Sequence, residues 1–205
     1  MTIRFHKQDL PDLSHYDVDA VAIDTETLGL NPHRDRLCVV QLSPGDGTAD
    51  VIQIAPGQRR APNLVQLLRN RRITKLFHYG RFDIAVLYKT FGVMAEPVFC
   101  TKIASRLTRT YTDRHGLKDI CSEFLNISLS KQQQSSDWAA ETLSPEQLEY
   151  AASDVLYLHQ LRDALAGRLA RDGRVREAEA CFKFLPTRAK LDLMGWDEED
   201  IFAHS

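Results

Sequence analysis

The sequence is poor in cysteine and has no cysteine pair with the spacing of metal ligands. Its four cysteines, Cys38, Cys100, Cys121 and Cys181, lie far apart and form no Cys-x-x-Cys motif, which argues against a structural zinc site. Each has apolar neighbours, as reduced cysteines in the core of a cytosolic protein do. We therefore predict a cytoplasmic protein, and 205 residues are enough to bury a core without disulfides.

Long apolar runs and a surplus of one charge are also missing. No apolar run approaches the ~18 residues that a membrane-spanning helix needs. The first residues, MTIRFHKQDL, lack the apolar segment of a signal peptide, so neither a membrane span nor a signal peptide is predicted. The formal net charge is −2, so no overall basic field indicates a binder of long nucleic acids. Short ligands and locally basic patches remain compatible with this charge.

Short strands and helices alternate in the first half of the chain. Five segments have the pattern of strands: 19–24, 37–43, 49–54, 73–79 and 98–102. The first three are joined by the turn sequences NPHRD and SPGDG, which predicts an antiparallel meander. Amphipathic helices are predicted at 63–70 and 81–91.

From about residue 103 the pattern becomes helical. Residues 116–125 place apolar side chains on one face, and 144–173 form the longest predicted helix, which begins with a Ser-Pro-x-Gln capping box. A further helix is predicted to follow Gly173, to be interrupted at Pro186 and then to resume. No repeat, low-complexity segment or linker divides the chain, so one α/β domain with a mixed sheet and a helical C-terminal half is predicted.

The stretch VAIDTETLGL, residues 21–30, ends a buried strand with two carboxylates. Asp24 and Glu26 are two residues apart, so on a strand they face the same side. Unpaired, they repel and raise each other's pKa, and Mg²⁺ or Mn²⁺, which prefer oxygen ligands, removes that penalty. A solvated acidic turn is an equally good interpretation of this pair taken alone.

Two later segments add carboxylates and a phenol. Asp83 follows FHYGRF at the start of a helix, where a carboxylate also stabilises the helix dipole. Tyr150 and Asp154 in YAASD are one helical turn apart and share a face that is otherwise used for packing. A carboxylate on such a face needs a partner. The alternative is a core tyrosine with Asp154 at its solvent edge.

In this order and at these separations, DTET, FHYGRFD and YAASD resemble the three motifs of the DEDDy 3′–5′ exonucleases of the RNase D group. The segment from GLKDICSEFL to SDVLYL is similar to the one that links the second and third motifs, so the resemblance covers about residues 18–165. It implies an RNase H-like (DnaQ-like) fold, with a mixed central β-sheet flanked by helices. Residues 1–205 are then a single exonuclease domain, with its core at 18–165 and a helical tail at 174–205.

The resemblance also implies the roles of five residues. Asp24, Glu26, Asp83 and Asp154 match the acidic positions that bind two divalent ions, Mg²⁺ or Mn²⁺. Tyr150 matches the tyrosine that orients or deprotonates the attacking water. Two such ions can clamp the attacking and leaving oxygens of a phosphoryl transfer. All five positions match the family pattern, which argues against a non-catalytic RNA-binding protein.

The compact length and the sequences MTIRFHKQDLP and LMGWDEEDIFAHS resemble the nano-RNase C type, the short RNase D relatives of alphaproteobacteria. This implies an exoribonuclease that cuts very short RNAs, chiefly dinucleotides, and a ring-shaped homo-octamer. The apolar side chains between Phe182 and Phe202 then either complete the core or contact a neighbouring subunit. A general 3′–5′ exonuclease acting on longer RNA or on DNA is the alternative.

Nine further residues are candidates for contacting the substrate. Leu28 is suited to wedge between bases, or it is a core leucine. His78 and Tyr79 either approach the substrate or pack at a strand end, and the polar loop before Asp137 either binds a 5′ phosphate or is solvated. The nine are Thr25, Leu28, His78, Tyr79, Arg81, Lys131, Gln134, Ser135 and Ser136.

Overall fold

The structure, a computed structural model, describes residues 2–130 and 132–204, and within them a six-stranded mixed sheet forms the centre of the molecule. The strands are β1 (Thr2–Lys7), β2 (Ala20–Thr27), β3 (Leu37–Ser43), β4 (Thr48–Gln53), β5 (Thr74–Phe77) and β6 (Val98–Cys100). They lie in the order β1-β4-β3-β2-β5-β6. Pairing is antiparallel between β2 and β3 and between β3 and β4, and parallel elsewhere. The predicted meander and mixed sheet are confirmed.

Strand β1 has no counterpart among the predicted strands. It pairs in parallel with β4, far away in sequence, and its residues contact Asp50 of that strand. The buried Asp50 accepts two hydrogen bonds of 2.7 Å from Arg4 and one of 2.5 Å from Tyr16. This edge strand is therefore stabilised by long-range polar contacts, which local hydrophobic periodicity does not reveal.

The helices that flank the sheet are α1 (Pro62–Arg69), α2 (Gly80–Phe91), α3 (Thr101–Thr108), α4 (Leu117–Leu125), α5 (Pro145–Leu156), α6 (Leu158–Arg171) and α7 (Val175–Leu191). The long helix predicted at 144–173 is thus two helices, which separate at Tyr157. This break lets α5 cover β2, β3 and β4 while α6 packs against α3 and α4. The predicted interruption at Pro186 is also wrong, because α7 continues through it with Leu185, Pro186 and Ala189 buried against the core.

The main hydrophobic core runs from Leu10 to Ala189 and includes Phe182 and Leu185 of the helical tail. Beyond α7 the tail behaves differently, since Met194 and Phe202 are exposed. Part of the apolar tail therefore completes the core, and part lies on the surface. Among the residues described, no helix combines the length and the apolar character that crossing a membrane requires.

Candidate active site

Strand β2 carries two carboxylates out of the core. Its first four residues, Ala20–Ile23, are buried, and the strand becomes partly exposed at Asp24 and Glu26. These two side chains share one face of the sheet because they are two residues apart on a strand. The strand therefore places both carboxylates at the edge of the core, where a ligand can reach them.

Helix α5 supplies the phenol and a third carboxylate. A capping box fixes its first turn, since Gln147 N donates to Ser144 Oγ (3.2 Å) and Ser144 N donates to Gln147 Oε1 (2.9 Å). The helix packs across β2, β3 and β4, and this brings Asp154 to the two carboxylates of β2. One carboxylate oxygen from each of Asp24, Glu26 and Asp154 lies within 4.8 Å of the other two.

Helix α2 brings Asp83 to the same place. The chain enters α2 through Tyr79, which has a left-handed backbone conformation (φ 69°), and Asp83 follows in the first turn. Asp83 is 4% exposed and accepts a 2.6 Å hydrogen bond from the hydroxyl of Thr25. It lies outside the group of three carboxylates defined above, but its charge is close enough to raise the pKa of Asp24.

Burial and mutual repulsion make the four carboxylates weak acids. Burial raises the pKa of Glu26 to about 9 and the pKa values of Asp83 and Asp154 to about 7. The pKa of Asp24 is raised well above its ordinary value, first by burial and then by the charges of the other three carboxylates. Within residues 2–130 and 132–204, no Lys, Arg or His forms a salt bridge with any of the four.

The donor set fits hard divalent cations. All four acidic side chains offer oxygen atoms, which Mg²⁺ and Mn²⁺ prefer. Bound cations remove the repulsion that otherwise holds these carboxylates partly protonated, because an opposite charge favours the ionised form. Four carboxylates also balance the charge of two divalent ions, so the geometry and the electrostatics both favour a metal centre here.

Tyr150 faces the same cleft from α5. Burial raises its pKa, and the negative charges of Asp154 and Glu26 raise it further. The centroid of its ring lies 6.0 Å from the centroid of the ring of the buried Trp138. The phenol is therefore neutral at physiological pH and is suited to hydrogen bonding with a water molecule rather than to removing a proton from it.

The acidic cluster opens into a cleft of about 350 Å³. Of the nine residues predicted to contact the substrate, Thr25, His78, Tyr79 and Gln134 line it. Leu28, Arg81, Ser135 and Ser136 lie outside its lining, and Lys131 lies outside the described residues. A slightly larger cleft of about 380 Å³ beside α7 has Glu96 and Glu179 in its lining but no comparable acidic cluster, so it does not compete as the active site.

The alternatives left open for individual residues are now decided in part. Leu28 is 55% exposed and is therefore not a core leucine, and Leu30, which is also exposed, lines the cleft. The Nδ1 atom of His78 lies 2.9 Å from the Thr101 hydroxyl, which itself donates to the carbonyl of Phe77. Burial lowers the pKa of His78 to about 3, so His78 is a neutral side chain.

Arg81 is engaged elsewhere. Its guanidinium donates to both carboxylate oxygens of Asp192, at 2.5 and 2.8 Å, and to the carbonyl of Asp197. Asp192 also accepts two hydrogen bonds from Arg188. Arg81 therefore connects the start of α2 to the residues that follow α7, and a direct role in substrate contact stays a prediction.

Two lysines that line the cleft were not singled out from the sequence. Lys102 follows β6, and its Nζ lies 4.5 Å from the centre of the Tyr79 ring. Lys118 lies in the first turn of α4, next to Gly116 and Leu117. Lys118 falls within the GLKD segment, which carries part of the resemblance. That segment is the local feature of the sequence that could have indicated a role for Lys118. Both ammonium groups are suited to binding phosphate.

Comparison with known proteins agrees with this geometry. The sequence model of a family described as 3′–5′ exonuclease matches residues 9–170. Ribonuclease D of Acidiphilium cryptum is 35% identical over 155 residues, which are 76% of this chain and 39% of that protein. The chain therefore spans well under half the length of the curated relatives it matches.

Several solved structures match along the entire chain. Brucella melitensis NrnC with bound Mg²⁺ superposes with a TM-score of 0.97 at 75% identity, and the match covers 100% of both chains. Brucella melitensis NrnC bound to pGG gives a TM-score of 0.98 at 76% identity, again over 100% of both chains. The fold derived above, a mixed sheet with a helical C-terminal region, is shared with these two structures.

Proposed function

Because this chain belongs to the 3′–5′ exonuclease family that also contains ribonuclease D, we propose that it is a metal-dependent exoribonuclease that hydrolyses very short RNAs, chiefly dinucleotides, to nucleoside 5′-monophosphates. The observation that carries this proposal is the convergence of Asp24, Glu26 and Asp154, with Asp83 and Tyr150 beside them. No cationic side chain within the described residues forms an ion pair with these carboxylates, so they are free to bind metal ions.

Each site residue has a defined part in the hydrolysis. The four carboxylates of Asp24, Glu26, Asp83 and Asp154 would hold two divalent ions, Mg²⁺ or Mn²⁺, and such ions would supply Lewis acidity that acidifies water and neutralises the charge on the departing oxygen. The phenol of Tyr150 orients the attacking water. The oxygen of that water forms a bond to phosphorus, and the bond from phosphorus to the 3′ oxygen of the preceding nucleoside breaks. That 3′ oxygen takes up a proton, and a nucleoside 5′-monophosphate leaves.

Three observations support a short substrate. The cleft has a volume of only about 350 Å³, which suits a ligand of a few hundred daltons. Lys102 and Lys118 lie at the cleft, whereas the net charge of −2 provides no broad cationic surface for a long strand. The NrnC structure that matches over the whole chain contains pGG. In this proposal the two lysines bind the terminal phosphate, and the exposed Leu28 and Leu30 contact the bases.

A length competition tests the substrate. 5′-Phosphorylated RNAs from the dinucleotide to about twenty nucleotides are mixed with the enzyme and Mg²⁺, and the decay of each is followed by chromatography. Strong preference for the dinucleotide supports the proposal, whereas equal or increasing rates with length favour a general exonuclease. EDTA and the variant Asp154→Asn are the controls, and cleavage that survives both contradicts metal-dependent catalysis at this site.

We also propose that the protein is a single exonuclease domain, that it is cytoplasmic and that it assembles into a homo-octamer. The exposed apolar side chains of Met194, Trp196, Ile201 and Phe202 support contact with a second copy, because large apolar groups at one end of a chain favour burial. The mass in solution, from light scattering, tests the assembly. A mass of eight copies supports it, and a monomer contradicts it.

A further inference from the structure

Gln41 is a buried amide without a partner. It lies in β3 within LCVVQLS, where the four preceding residues and the one that follows are apolar, and it is completely buried. Neither its Nε2 nor its Oε1 has a hydrogen-bond partner among the residues that the structure describes. Burying an amide in this way is unfavourable, and an apolar residue would pack here without that penalty. Its presence therefore calls for a physical reason.

The register of the sheet provides a physical reason for the buried amide of Gln41. Gln41 is the cross-strand partner of Asp24, so the two side chains lie on the same face of the sheet, with Cβ atoms roughly 4.5–5.5 Å apart. On its other side Gln41 pairs with Val51 of β4. The amide therefore lies between a carboxylate of the acidic cluster and the small apolar cluster that α5 covers, whose members are Cys38, Val39, Val51, Trp138, Leu143 and Ala151.

A second unpartnered group lies in that cluster. The Nε1–H of Trp138 is buried and has no acceptor among the described residues. Trp138 packs with Val39 and Val51, which flank Gln41, and its ring is 6.0 Å from that of Tyr150. An amide can accept at Oε1 while it donates from Nε2. Gln41 can therefore donate toward Asp24, its cross-strand partner, while its Oε1 is still able to accept a second hydrogen bond.

We propose that Gln41 is a positioning residue for Asp24: its amide donates a hydrogen bond to the Asp24 carboxylate, directly or through one buried water, when divalent ions are bound. The inference rests on the proposed function, because it assigns a support to one of the metal ligands. Partners behind a ligating carboxylate orient it toward the metal. A neutral amide does so without the positive charge that a lysine or arginine would bring into competition with the cation.

The test uses Gln41→Met, which keeps the length and removes both polar atoms. Titration calorimetry with Mn²⁺ and thermal unfolding in EDTA are measured on the whole protein, together with kcat and KM for a 5′-phosphorylated dinucleotide. We expect metal affinity and kcat to fall roughly 10- to 100-fold, with KM within about twofold of wild type and the melting temperature in EDTA unchanged or higher. Metal affinity within about twofold of wild type overturns the proposal.

The control is Ser43→Ala, two residues along on the same strand. The Ser43 hydroxyl is buried and already donates to the Thr48 carbonyl at 2.7 Å. Its loss is expected to lower the melting temperature and to leave metal affinity unchanged. If the wild type itself binds no divalent ion, the proposed function fails; if the wild type binds and Gln41→Met binds equally well, only the role of Gln41 fails.

One measurement needs no variant. In a high-resolution crystal structure with Mg²⁺, Gln41 Nε2, or one water bound to it, is expected within hydrogen-bond distance of an Asp24 oxygen. A metal-bound structure in which Gln41 neither contacts Asp24 nor shares a water with it contradicts the proposal.

Discussion

The hydroxyl of Thr25 donates a 2.6 Å hydrogen bond to Asp83 and so joins the end of β2 to the first turn of α2. Thr25 lies between Asp24 and Glu26 in the strand, and neighbouring side chains in a strand point to opposite faces. The acidic cluster is therefore assembled from both sides of β2. Asp24 and Glu26 meet α5 on one side, and Thr25 fixes Asp83 on the other.

Replacing Thr25 by valine tests this link, because valine keeps the shape and lacks the donor. The hydrogen bond favours the ionised form of Asp83, so its loss raises the pKa of Asp83 further. We expect metal affinity and rate at neutral pH to fall by roughly tenfold, as is typical for lost outer partners of metal ligands. Thr25→Ser retains the hydroxyl and should stay close to wild type. A valine variant with unchanged metal affinity shows that the hydrogen bond is dispensable.

The stability of the metal-free protein should decrease as pH rises from about 4 to about 9, and above about pH 7 the decrease should come mainly from Glu26. The folded-state pKa values of Asp83 and Asp154 are about 7 and that of Glu26 is about 9, all above their unfolded values. The stability associated with their protonated forms is present below the unfolded pKa and is lost as pH rises through the folded pKa. Mg²⁺ should reverse this loss, because it binds the ionised carboxylates.

Thermal unfolding in EDTA and in Mg²⁺, at pH 7, 8 and 9, measures this effect. Asp154→Asn removes one ionising group and weakens the repulsion, so its melting temperature in EDTA should depend less on pH than that of wild type. If the melting temperature of this variant in EDTA depended on pH as steeply as that of wild type, the titrating groups would lie outside the acidic cluster. The lowered pKa of His78 does not interfere, because its effect on stability lies below pH 6.5.

Tyr150→Phe should slow catalysis and leave metal binding intact. Burial keeps the phenol neutral, and in the proposed function it orients water without ligating the ions, so only the hydrogen bond to the attacking water should be lost. We expect kcat to fall by roughly 10²-fold, which is typical when a reacting group loses its positioning contact. Calorimetry with Mn²⁺ should give the wild-type affinity. Unchanged kcat would show that the phenol takes no part.

Asp192→Asn should destabilise the fold. Asp192 is 5% exposed and accepts two hydrogen bonds each from Arg81 and Arg188, so the variant leaves two guanidinium groups without a charged partner. Breaking a fully buried ion pair in this way lowers the free energy of unfolding by about 3–5 kcal/mol. Arg81 is partly exposed, which reduces the expected loss to roughly 1–3 kcal/mol.

For a chain of this size a loss of 1 kcal/mol lowers the melting temperature by roughly 2–4 °C. The matched control is Asp163→Asn, which breaks the exposed pair with Arg162 and should change stability by less than about 0.5 kcal/mol. Equal melting temperatures for the two variants would show that the Asp192 contacts contribute nothing to stability.

Much of the site could be predicted because its spacings are local. Asp24 and Glu26 are two residues apart on a strand and therefore point to the same side. Tyr150 and Asp154 are four residues apart on a helix and therefore share one face. Neither relationship depends on the rest of the chain. The same local rules predicted the meander and the capping box of α5. Motif order then indicated that these pieces belong to one site.

What the sequence determined by itself is therefore the chemistry: an acidic, oxygen-rich set of side chains with a phenol, carried on a strand and two helices. Only the tertiary structure decided which groups meet. Arg81 pairs with Asp192 at a separation of 111 residues, Lys102 reaches the cleft from the first turn of α3, and Gln41 lies beside Asp24 through the sheet register. Such contacts depend on how helices and strands pack, and packing is a property of the whole chain that short-range spacing does not encode.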